Sequence, residues 1–488
     1  MEVYWYWVSA ATLLACYIFV NKVVRNLNGW YYNLKFRNNE HPLPPGDMGW
    51  PLIGNLLSFY KHFSSGHPDS FINNFVLRYG RTSIYKTHLY GSPSIIVCAP
   101  DMCKRVLADD VNFKLGYPKA ASELAQNRHM GGADHRRFKR LVTAPISGQN
   151  ALAMYLESIE DIMTNTLEEM SSRKHPVQFL EEMKKISFEV IFHIFVGSCD
   201  KGIITKFIHL FDIVFVGMFS LPIKAPGFAF NKAVEARKEL AKIIQYLIDE
   251  RRLMIKNGQT SEKKYLLDIL LELDYENGKG VEDVDIINFF INILLAGHES
   301  TATGMMWSIT YLTQNPHFLK KAKEEQEEIM KARPTSQNHL SIKEIKQMSY
   351  LSKVINEMLR RTNIAFGSFR EATSDMNING YLIPKGWKVL VWLRAIHMDP
   401  NYHANPEEFN PSRWDDYNAT AGTFLPFGSG SWLCPGNDLA RFEMTIFLHH
   451  FLLNYKFERI NPDCRITNLP GVKPVDDCLA KVIKVSGA

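Results

Sequence analysis

The sequence has few cysteines, little net charge and no low-complexity tract, and each shortage excludes a class of protein. Seven cysteines among 488 residues is a low, odd number, which excludes a disulfide scaffold and favours a reducing compartment. A net charge of +5, from 56 basic and 51 acidic residues, is too small to indicate nucleic-acid binding. No repeat and no linker rich in Pro, Ser or Gly divides the body, which is therefore predicted to be one large domain.

Two common catalytic motifs are also missing. The sequence has no phosphate-binding loop of the Gly-x-x-x-x-Gly-Lys type. His298-Glu299 resembles the start of a zinc-protease helix, but position 302 is alanine, where such a helix needs its second histidine. Neither chemistry is therefore predicted for this chain.

The N-terminus carries a long uncharged run. Residues 3–20 contain no charge, and as a helix they would span about 27 Å, close to the thickness of an endoplasmic reticulum membrane. The aromatic residues 4–7 stand at the first end of the run, whereas Lys22 and Arg25 follow its other end, which predicts that the rest of the chain lies on the cytoplasmic side. The alternative is a cleaved signal peptide, which is disfavoured because the chain begins Met1-Glu2 without a basic residue. We predict a single-pass anchor over residues 1–21.

Residues 22–55 are predicted to be a linker and a proline-rich hinge. Pro44 and Pro45 cannot continue a helix and favour a stiff, extended segment. Such a spacer would fix the orientation of the body on the membrane, although a plain turn at the domain entrance would have the same sequence. The body then occupies residues 56–488.

The body is predicted to be mainly α with small β-sheets. Residues 82–87 and 94–98 have the pattern of a hairpin, residues 100–352 are mostly helical, and residues 377–392 return to strands. Residues 283–315 form one long helical pattern that Pro316 stops, and residues 440–453 form another apolar helix. The apolar stretch 218–230 could enter the membrane, cover a binding site or lie as an internal loop under other helices.

One cysteine stands in an unusual loop, Phe427-Gly-Ser-Gly-Ser-Trp-Leu-Cys-Pro-Gly436. Glycine lets the backbone approach a flat ligand closely. The predicted helix behind Cys434 would stabilise a thiolate through its free N–H groups. Such a thiolate could be a nucleophile or an iron ligand, and the alternative is a plain buried thiol.

Two further groups could carry chemistry or structure. Glu357 and Arg360 lie one helical turn apart among apolar neighbours, which favours a buried ion pair, and Arg413 is a candidate third member. Glu299 and Ser300, followed by Thr301, place an acid and an alcohol inside the long helix. They could relay protons, or the hydroxyl could simply bond to the carbonyl one turn earlier.

Taken in this order, these features resemble the cytochrome P450 family of haem-thiolate monooxygenases. The resemblance covers nearly the whole chain, from the apolar N-terminus to the cysteine loop, and includes the segment Phe409-Asn-Pro-Ser-Arg-Trp414. It implies the cytochrome P450 fold, haem b as cofactor, dioxygen as co-substrate, and electrons that NADPH supplies through cytochrome P450 reductase.

The resemblance also implies a role for each matching residue. Glu299, Ser300 and Thr301 would deliver protons, and Glu357, Arg360 and Arg413 would form a structural triad. The residues implied to hold the haem are Cys434 as axial thiolate, Arg370, Trp432, His135, Lys139, Phe427 and Gly436. The residues implied to line the substrate pocket are Phe289, Ile293, Leu294, Ala296, Ile364, Phe366 and Leu469.

Three positions depart from the family pattern. Trp432 and Lys139 stand where arginine is usual, which removes an ion pair and a bidentate contact to the haem propionates. Ser300 replaces the commoner threonine but keeps the hydroxyl. From the first two departures we hypothesise that haem is held less tightly here than in related proteins.

Several phrases, among them Leu43-Pro-Pro-Gly-Asp-Met-Gly-Trp-Pro51, resemble a plant subgroup that oxidises terpenoids. This implies oxidation of an apolar terpenoid, foremost a β-amyrin-type pentacyclic triterpene at allylic carbon 11. The alternatives are oxidation of the diterpene acid ent-kaurenoate, a peroxide rearrangement that the intact Glu299-Ser300 pair disfavours, and an impaired haem-binding paralogue. Membrane lipid is an implied partner, and the basic residues that could contact the reductase are Arg136, Arg137, Lys139, Arg140 and Arg441.

Overall fold

The computed structural model describes residues 2–126, 143, 146–197, 201–259, 264–272, 281–415 and 421–485. Within these residues, the first nine helices are α1 (Glu2–Ile18), α2 (Leu27–Lys35), α3 (Leu56–Ser64), α4 (Asp69–Tyr79), α5 (Pro100–Ala108), α6 (Lys119–Ala125), α7 (Gln149–Ser172), α8 (Phe179–Val196) and α9 (Lys201–Met218). The others are α10 (Ala229–Lys256), α11 (Leu266–Glu272), α12 (Asp283–Gln314), α13 (Pro316–Ala332), α14 (Ile342–Gln347), α15 (Ser349–Thr362), α16 (Leu393–His397) and α17 (Asn437–Asn454).

The strands are short. They are β1 (Ile84–Leu89), β2 (Ser92–Val97), β3 (Phe113–Leu115), β4 (Val177–Gln178), β5 (Ser368–Ala372), β6 (Met376–Ile378), β7 (Tyr381–Ile383), β8 (Lys388–Val391), β9 (Tyr455–Arg459), β10 (Ile466–Thr467), β11 (Lys473–Pro474) and β12 (Leu479–Lys484). The predicted class, mainly α with small β-sheets, is therefore confirmed. The chain forms two compact units, the first from segments 1–118, 365–402 and 420–432, and the second from the remainder.

A helical stretch from Tyr4 to Lys35 lies at the N-terminal end of the first unit. It is exposed along its apolar part, has a mean hydropathy of 1.6 and is long and apolar enough to cross a membrane. The helix does not end at residue 21, because a π turn and a 3₁₀ turn join α1 to α2 without a break. The anchor boundary at residue 21 stays a prediction.

The first unit is built on a five-stranded sheet in the order β1-β2-β8-β5-β3. β1 and β2 form the predicted hairpin, with Ile84 opposite Val97, and Gly91 takes a positive φ of 75° in the turn. The proline-rich segment packs against this sheet, where the Lys86 N–H donates to the Pro45 carbonyl at 2.9 Å. A Cβ at Gly46 would lie 2.1 Å from the Lys86 carbonyl oxygen, so only glycine permits this contact.

The second unit is organised around α12. This helix is apolar on most sides, and its central residues are almost all buried, which is the pattern of a core helix. It begins after Glu282 and ends before Pro316, as the sequence predicted. A Cβ at Gly304 would lie 2.7 Å from Met444 Sδ on α17, so the glycine permits the close packing of these two helices.

The apolar stretch between α9 and α10 is exposed. The relative accessibilities of Leu221, Ile223 and Phe228 are 50%, 37% and 48%. This exposure contradicts the alternative of an internal loop covered by other helices. A loop that enters the membrane or covers a binding site remains the expectation.

Candidate functional site

Cys434 differs from the other described cysteines in its surroundings. It is exposed and stands two residues before Gly436, which caps the N-terminus of α17. Burial raises the pKa of Cys98 to about 12 and that of Cys478 to about 11, so those thiols stay protonated. An accessible cysteine at a helix N-terminus suits a thiolate ligand, because the helix dipole favours negative charge there.

The glycines before the cysteine shape the loop. Gly430 has a φ of 70°, and a Cβ at this position would lie 2.4 Å from the Leu107 carbonyl oxygen. Any other residue would therefore both strain the backbone and collide with α5. Gly428 also has a positive φ of 78°.

Arg370, on β5 in the first unit, is a buried cation with neutral acceptors. Its Nη1 donates to Ser368 Oγ at 2.8 Å and to the Phe369 carbonyl at 3.1 Å, and its guanidinium lies 5.9 Å from the Trp432 ring centroid. Burial lowers the pKa of Arg370, and its Nε has no partner among the described residues. A buried guanidinium with a spare donor suits an anionic group such as a carboxylate.

One face of α12 is open along an otherwise buried helix. Ala296 is exposed, whereas Ile293 and Ser300 are half-buried, and these positions follow one another at helical spacing. Phe289 continues the same face but is buried against the ring of Phe195. Leu294 is fully buried and lies off this face, and its place in the pocket lining stays a prediction.

The hydroxyl of Ser300 bonds within its own helix. Its Oγ donates to the Ala296 carbonyl at 2.7 Å, which was one of the two roles that the sequence left open. The oxygen keeps lone pairs that can accept a hydrogen bond from another group. Thr301 is buried, so of the two hydroxyls that of Ser300 lies beside the open face.

Glu299 is held in a charged cluster that the sequence did not predict. The Lys184 ammonium on α8 lies 2.9 Å from Glu299 Oε2, 3.1 Å from Glu181 Oε1 and 3.3 Å from Asp212 Oδ1. Burial alone would lower the pKa of Lys184, but these carboxylates raise it, so the side chain stays charged. The sequence feature that could have indicated this cluster is a lysine, Lys184, among the apolar residues of α8.

The same cluster has the composition of a metal site. Asp212, His298 and Glu299 each offer one ligand atom within 4.8 Å of the others. Burial lowers the pKa of His298, so the ring is neutral at physiological pH. The Lys184 ammonium contacts both carboxylates and already supplies their positive charge. The cluster therefore needs no metal ion.

Glu357 is the centre of a buried network. Arg360 donates to both of its oxygens, from Nε at 2.9 Å and from Nη2 at 2.8 Å, and both side chains have 0% exposure. Arg413 Nε lies 3.3 Å from Oε1, and the Asn410 N–H and Trp414 Nε1 donate at 3.0 Å each. The three residues predicted as a triad are thus in contact, and the carboxylate is fully satisfied.

The remaining predicted residues are placed as follows. Ile364 and Leu469 are half-buried in the second unit, and Phe427 is half-buried in the first. Phe366 belongs to an aromatic cluster with Phe63 at 4.7 Å between ring centroids. His135 and Lys139 lie outside the described residues, as do Arg136, Arg137 and Arg140. Arg441 donates to Asn356 Oδ1 at 2.8 Å, and burial lowers its pKa; its contact with a reductase stays a prediction.

The chain is similar to known proteins in both sequence and fold. The family model for cytochrome P450 matches residues 44–474. β-Amyrin 11-oxidase of Glycyrrhiza uralensis is 67% identical over 100% of both chains, and ent-kaurenoic acid oxidase 2 of Arabidopsis thaliana is 43% identical over 96% of both. The structure of retinoic acid-bound cyanobacterial CYP120A1 covers 91% of this chain and 100% of its own, with a TM-score of 0.81 and 24% identity. The fold predicted from the sequence is confirmed.

Proposed function

The chain belongs to the cytochrome P450 family, and from that premise we propose that it oxidises a β-amyrin-type pentacyclic triterpene at allylic carbon 11. It is a haem-thiolate monooxygenase that uses dioxygen and electrons from a reductase. The observation that supports this choice of substrate is the 67% identity to β-amyrin 11-oxidase over the full length of both chains. Such a substrate is a large hydrocarbon skeleton, which suits a mostly apolar pocket.

The residues of the chain fit a haem. Cys434 offers an exposed sulfur at a helix N-terminus, and Arg370 offers a buried guanidinium with a spare donor. We assign Cys434, in the loop from Phe427 to Gly436, as the thiolate that would hold the haem iron, and Arg370 with Trp432 as the residues that would contact the propionates. When bound, the haem activates dioxygen for insertion into a C–H bond. The corresponding roles of His135 and Lys139 stay predictions.

Protons reach the oxygen site, in this proposal, through Glu299 and Ser300. Insertion of one oxygen atom releases the other as water, which consumes two protons and two electrons. Lys184 joins Glu299 to Glu181 and Asp212, whose side chains are 30% and 38% exposed, against 9% for Glu299. In this proposal, carboxylates of graded exposure would connect Glu299, the neighbour of Ser300 in sequence, with solvent.

Ser300→Ala should uncouple oxygen consumption from product. Without the hydroxyl, the proton donor nearest the open face is lost, and the product formed per NADPH consumed should fall by at least about tenfold. Ser308→Ala is the matched control, because Ser308 makes the same bond to the carbonyl one turn earlier, at 2.8 Å, two turns along α12. Equal coupling in the Ser300 variant and the wild type would contradict the relay.

Trp432→Arg tests whether haem is held weakly. The substitution adds a cation for a propionate but removes a cation–π contact with Arg370, worth about 1 kcal/mol, and places two guanidiniums together. We therefore expect higher haem occupancy after purification and a less stable apoprotein. The haem content and the melting temperatures of the apo and holo forms measure both effects. Unchanged haem content and stability would contradict weak haem binding and remove the main support for an impaired paralogue.

The proposed cellular arrangement follows from the N-terminal helix. We assign residues 1–21 as a single-pass anchor in the endoplasmic reticulum membrane, residues 22–55 as linker and hinge, and residues 56–488 as a cytoplasmic monooxygenase domain. The electron donor would be NADPH–cytochrome P450 reductase. Protease treatment of sealed microsomes, with a tag at residue 488, tests the orientation, because a cytoplasmic tag is removed without detergent.

The deciding experiment is expression in yeast with a plant reductase. One strain makes β-amyrin and a second makes ent-kaurenoate, and the products are identified by mass spectrometry and NMR. Oxidation of β-amyrin at carbon 11 supports the proposal, whereas oxidation of ent-kaurenoate alone overturns it in favour of the diterpene acid. A thiolate-type Soret band in the reduced, CO-bound protein is the control for folded enzyme.

Among the described residues of the second unit, the charges give little support to an acid substrate. A buried carboxylate on the substrate would need a cation, but Lys184 already contacts three carboxylates. Arg237 on α10 is buried and donates to Asn288, which precedes Ser300 by twelve residues, or about 18 Å along α12. That separation exceeds the size of a diterpene skeleton.

A further inference from the structure

A basic cavity lies in the first unit where the N-terminal helical stretch meets the proline-rich segment. Its volume is about 160 Å³, enough for one phosphate group. Its wall includes the cations Arg25, Arg78 and Lys86 and the single carboxylate of Asp47. We call it the basic cavity.

The carboxylate in the basic cavity compensates only part of the positive charge. Asp47 Oδ2 accepts from Arg25 Nη2 at 2.7 Å and from Arg78 Nη1 at 3.0 Å, while Oδ1 accepts from the Gly49 N–H at 2.8 Å. Asp47 is thus a fixed support that orients two guanidiniums. Three cations and one anion leave a net charge of +2.

Lys86 is the strongest sign that a ligand belongs here. Lys86 is only 8% exposed, and its ammonium donates to Asn33 Oδ1 at 2.8 Å. It has no carboxylate partner among the described residues, and burial lowers its pKa. Buried ammonium groups are normally paired with an anion, because desolvation of an isolated charge is costly.

The position of the basic cavity favours a membrane lipid as the source of the anion. Arg25 follows directly on the apolar part of the Tyr4–Lys35 helix. On α2, Trp30, Tyr31 and Leu34 expose 49%, 58% and 69% of their surface, which is the behaviour of residues at a membrane interface. With this helix as the membrane anchor proposed above, the basic cavity would lie at the level of the lipid headgroups.

We propose that the basic cavity binds the phosphate of an anionic membrane lipid with a phosphomonoester headgroup, such as phosphatidic acid. A phosphomonoester carries a charge of about −1.5 to −2 at pH 7, which matches the net charge of +2. Arginine and lysine recognise phosphate by charge-assisted hydrogen bonds. Binding would tie the proline-rich segment and the sheet of the first unit to the membrane surface, independently of the proposed substrate.

The test uses the full-length holoenzyme in detergent at 0.15 M salt. The probes are dihexanoyl phosphatidic acid, dihexanoyl phosphatidylcholine and inorganic phosphate, and the readouts are the melting temperature and a binding titration. We expect saturable binding and a raised melting temperature with phosphatidic acid alone. Binding of inorganic phosphate with equal affinity would assign the cavity to a free phosphate and overturn the lipid.

Variants separate the cavity from a general surface charge. Arg78→Gln should weaken phosphatidic acid binding by about fivefold, and the double variant Arg25→Gln/Arg78→Gln by about thirtyfold. Arg81→Gln is the matched control, because Arg81 is exposed, three residues away and absent from the cavity wall. Equal affinity in the Arg78 variant, or an equal loss in the Arg81 control, would overturn the proposal. Lys86→Gln is a third variant, but it changes a buried residue. The Arg78 side chain is half-exposed, so the Arg78 variant should fold and the test stands even where the Lys86 variant does not fold.

Discussion

Replacing Glu357 with glutamine should lower the free energy of unfolding by about 3–5 kcal/mol, enough to deplete folded enzyme in cells. One carboxylate oxygen would become an NH2 group, which cannot accept the hydrogen bonds that groups such as Trp414 Nε1 now donate to it. It would also leave Arg360 buried at 0% exposure without its counter-charge. Urea unfolding of the purified apo and holo forms measures the loss.

Glu324→Gln is the control for this prediction. Glu324 lies on α13 with 53% of its side chain exposed, in a loose pair with Lys320 at 3.8 Å. Its loss should change stability by less than about 0.5 kcal/mol. Similar, small changes in both variants would mean that the Glu357 network does not stabilise the fold.

The Glu357 network should also make stability depend on pH. Burial alone would raise the pKa of Glu357, but hydrogen bonds from Arg360 and its charge lower it overall. A carboxyl whose folded pKa is depressed stabilises the fold above its unfolded pKa, about 4.3, and this stabilisation is lost as pH falls through the folded pKa. The difference in stability between wild type and Glu357→Gln should therefore be constant from pH 6 to 8 and shrink in acid.

Cys434→Ser should abolish the reaction while leaving the chain folded. Serine cannot supply a thiolate, so the reduced, CO-bound Soret band should leave its thiolate-type position, and product should fall by at least about a hundredfold. Because Cys434 is exposed, the apoprotein should lose less than about 0.5 kcal/mol. Spectra, haem content and product yield are measured together.

Cys464→Ser gives the matched control. Cys464 is half-buried in the same unit, and its sulfur donates weakly to the Arg465 carbonyl at 3.8 Å. Its replacement should leave both spectrum and product unchanged. A thiolate-type band that survived in Cys434→Ser would place the axial ligand elsewhere in the chain.

Local patterns predicted most of the fold. The apolar run that Pro316 stops predicted α12 almost to the residue, and the alternation on either side of Gly91 predicted the β1–β2 hairpin. Spacing also predicted the contact between Glu357 and Arg360, because residues three apart share a helical face. Each of these features depends on residues that are close together in the chain, so the pattern that predicts it is visible in a single sequence.

Contacts between distant segments could not be predicted in this way. Lys184 and Glu299 are 115 positions apart, and no local pattern indicates that α8 brings an ammonium to α12. The basic cavity joins Arg25, Asp47 and Arg78 through the tertiary packing of three segments. The burial of Leu294 could not be predicted for a related reason, since composition shows that a helix is apolar but not which side its neighbours cover.

The donors around Glu357 have a consequence for the order of events during folding. The Asn410 N–H and Trp414 Nε1 reach Glu357 across 53 and 57 positions of chain, whereas Arg360 is local. Closing a loop of that length costs chain entropy before any bond forms. The long-range bonds should therefore form after the folding transition state, so that their loss speeds unfolding more than it slows folding. For this chain, Glu357 would govern the lifetime of the native state and hardly the speed at which it is reached.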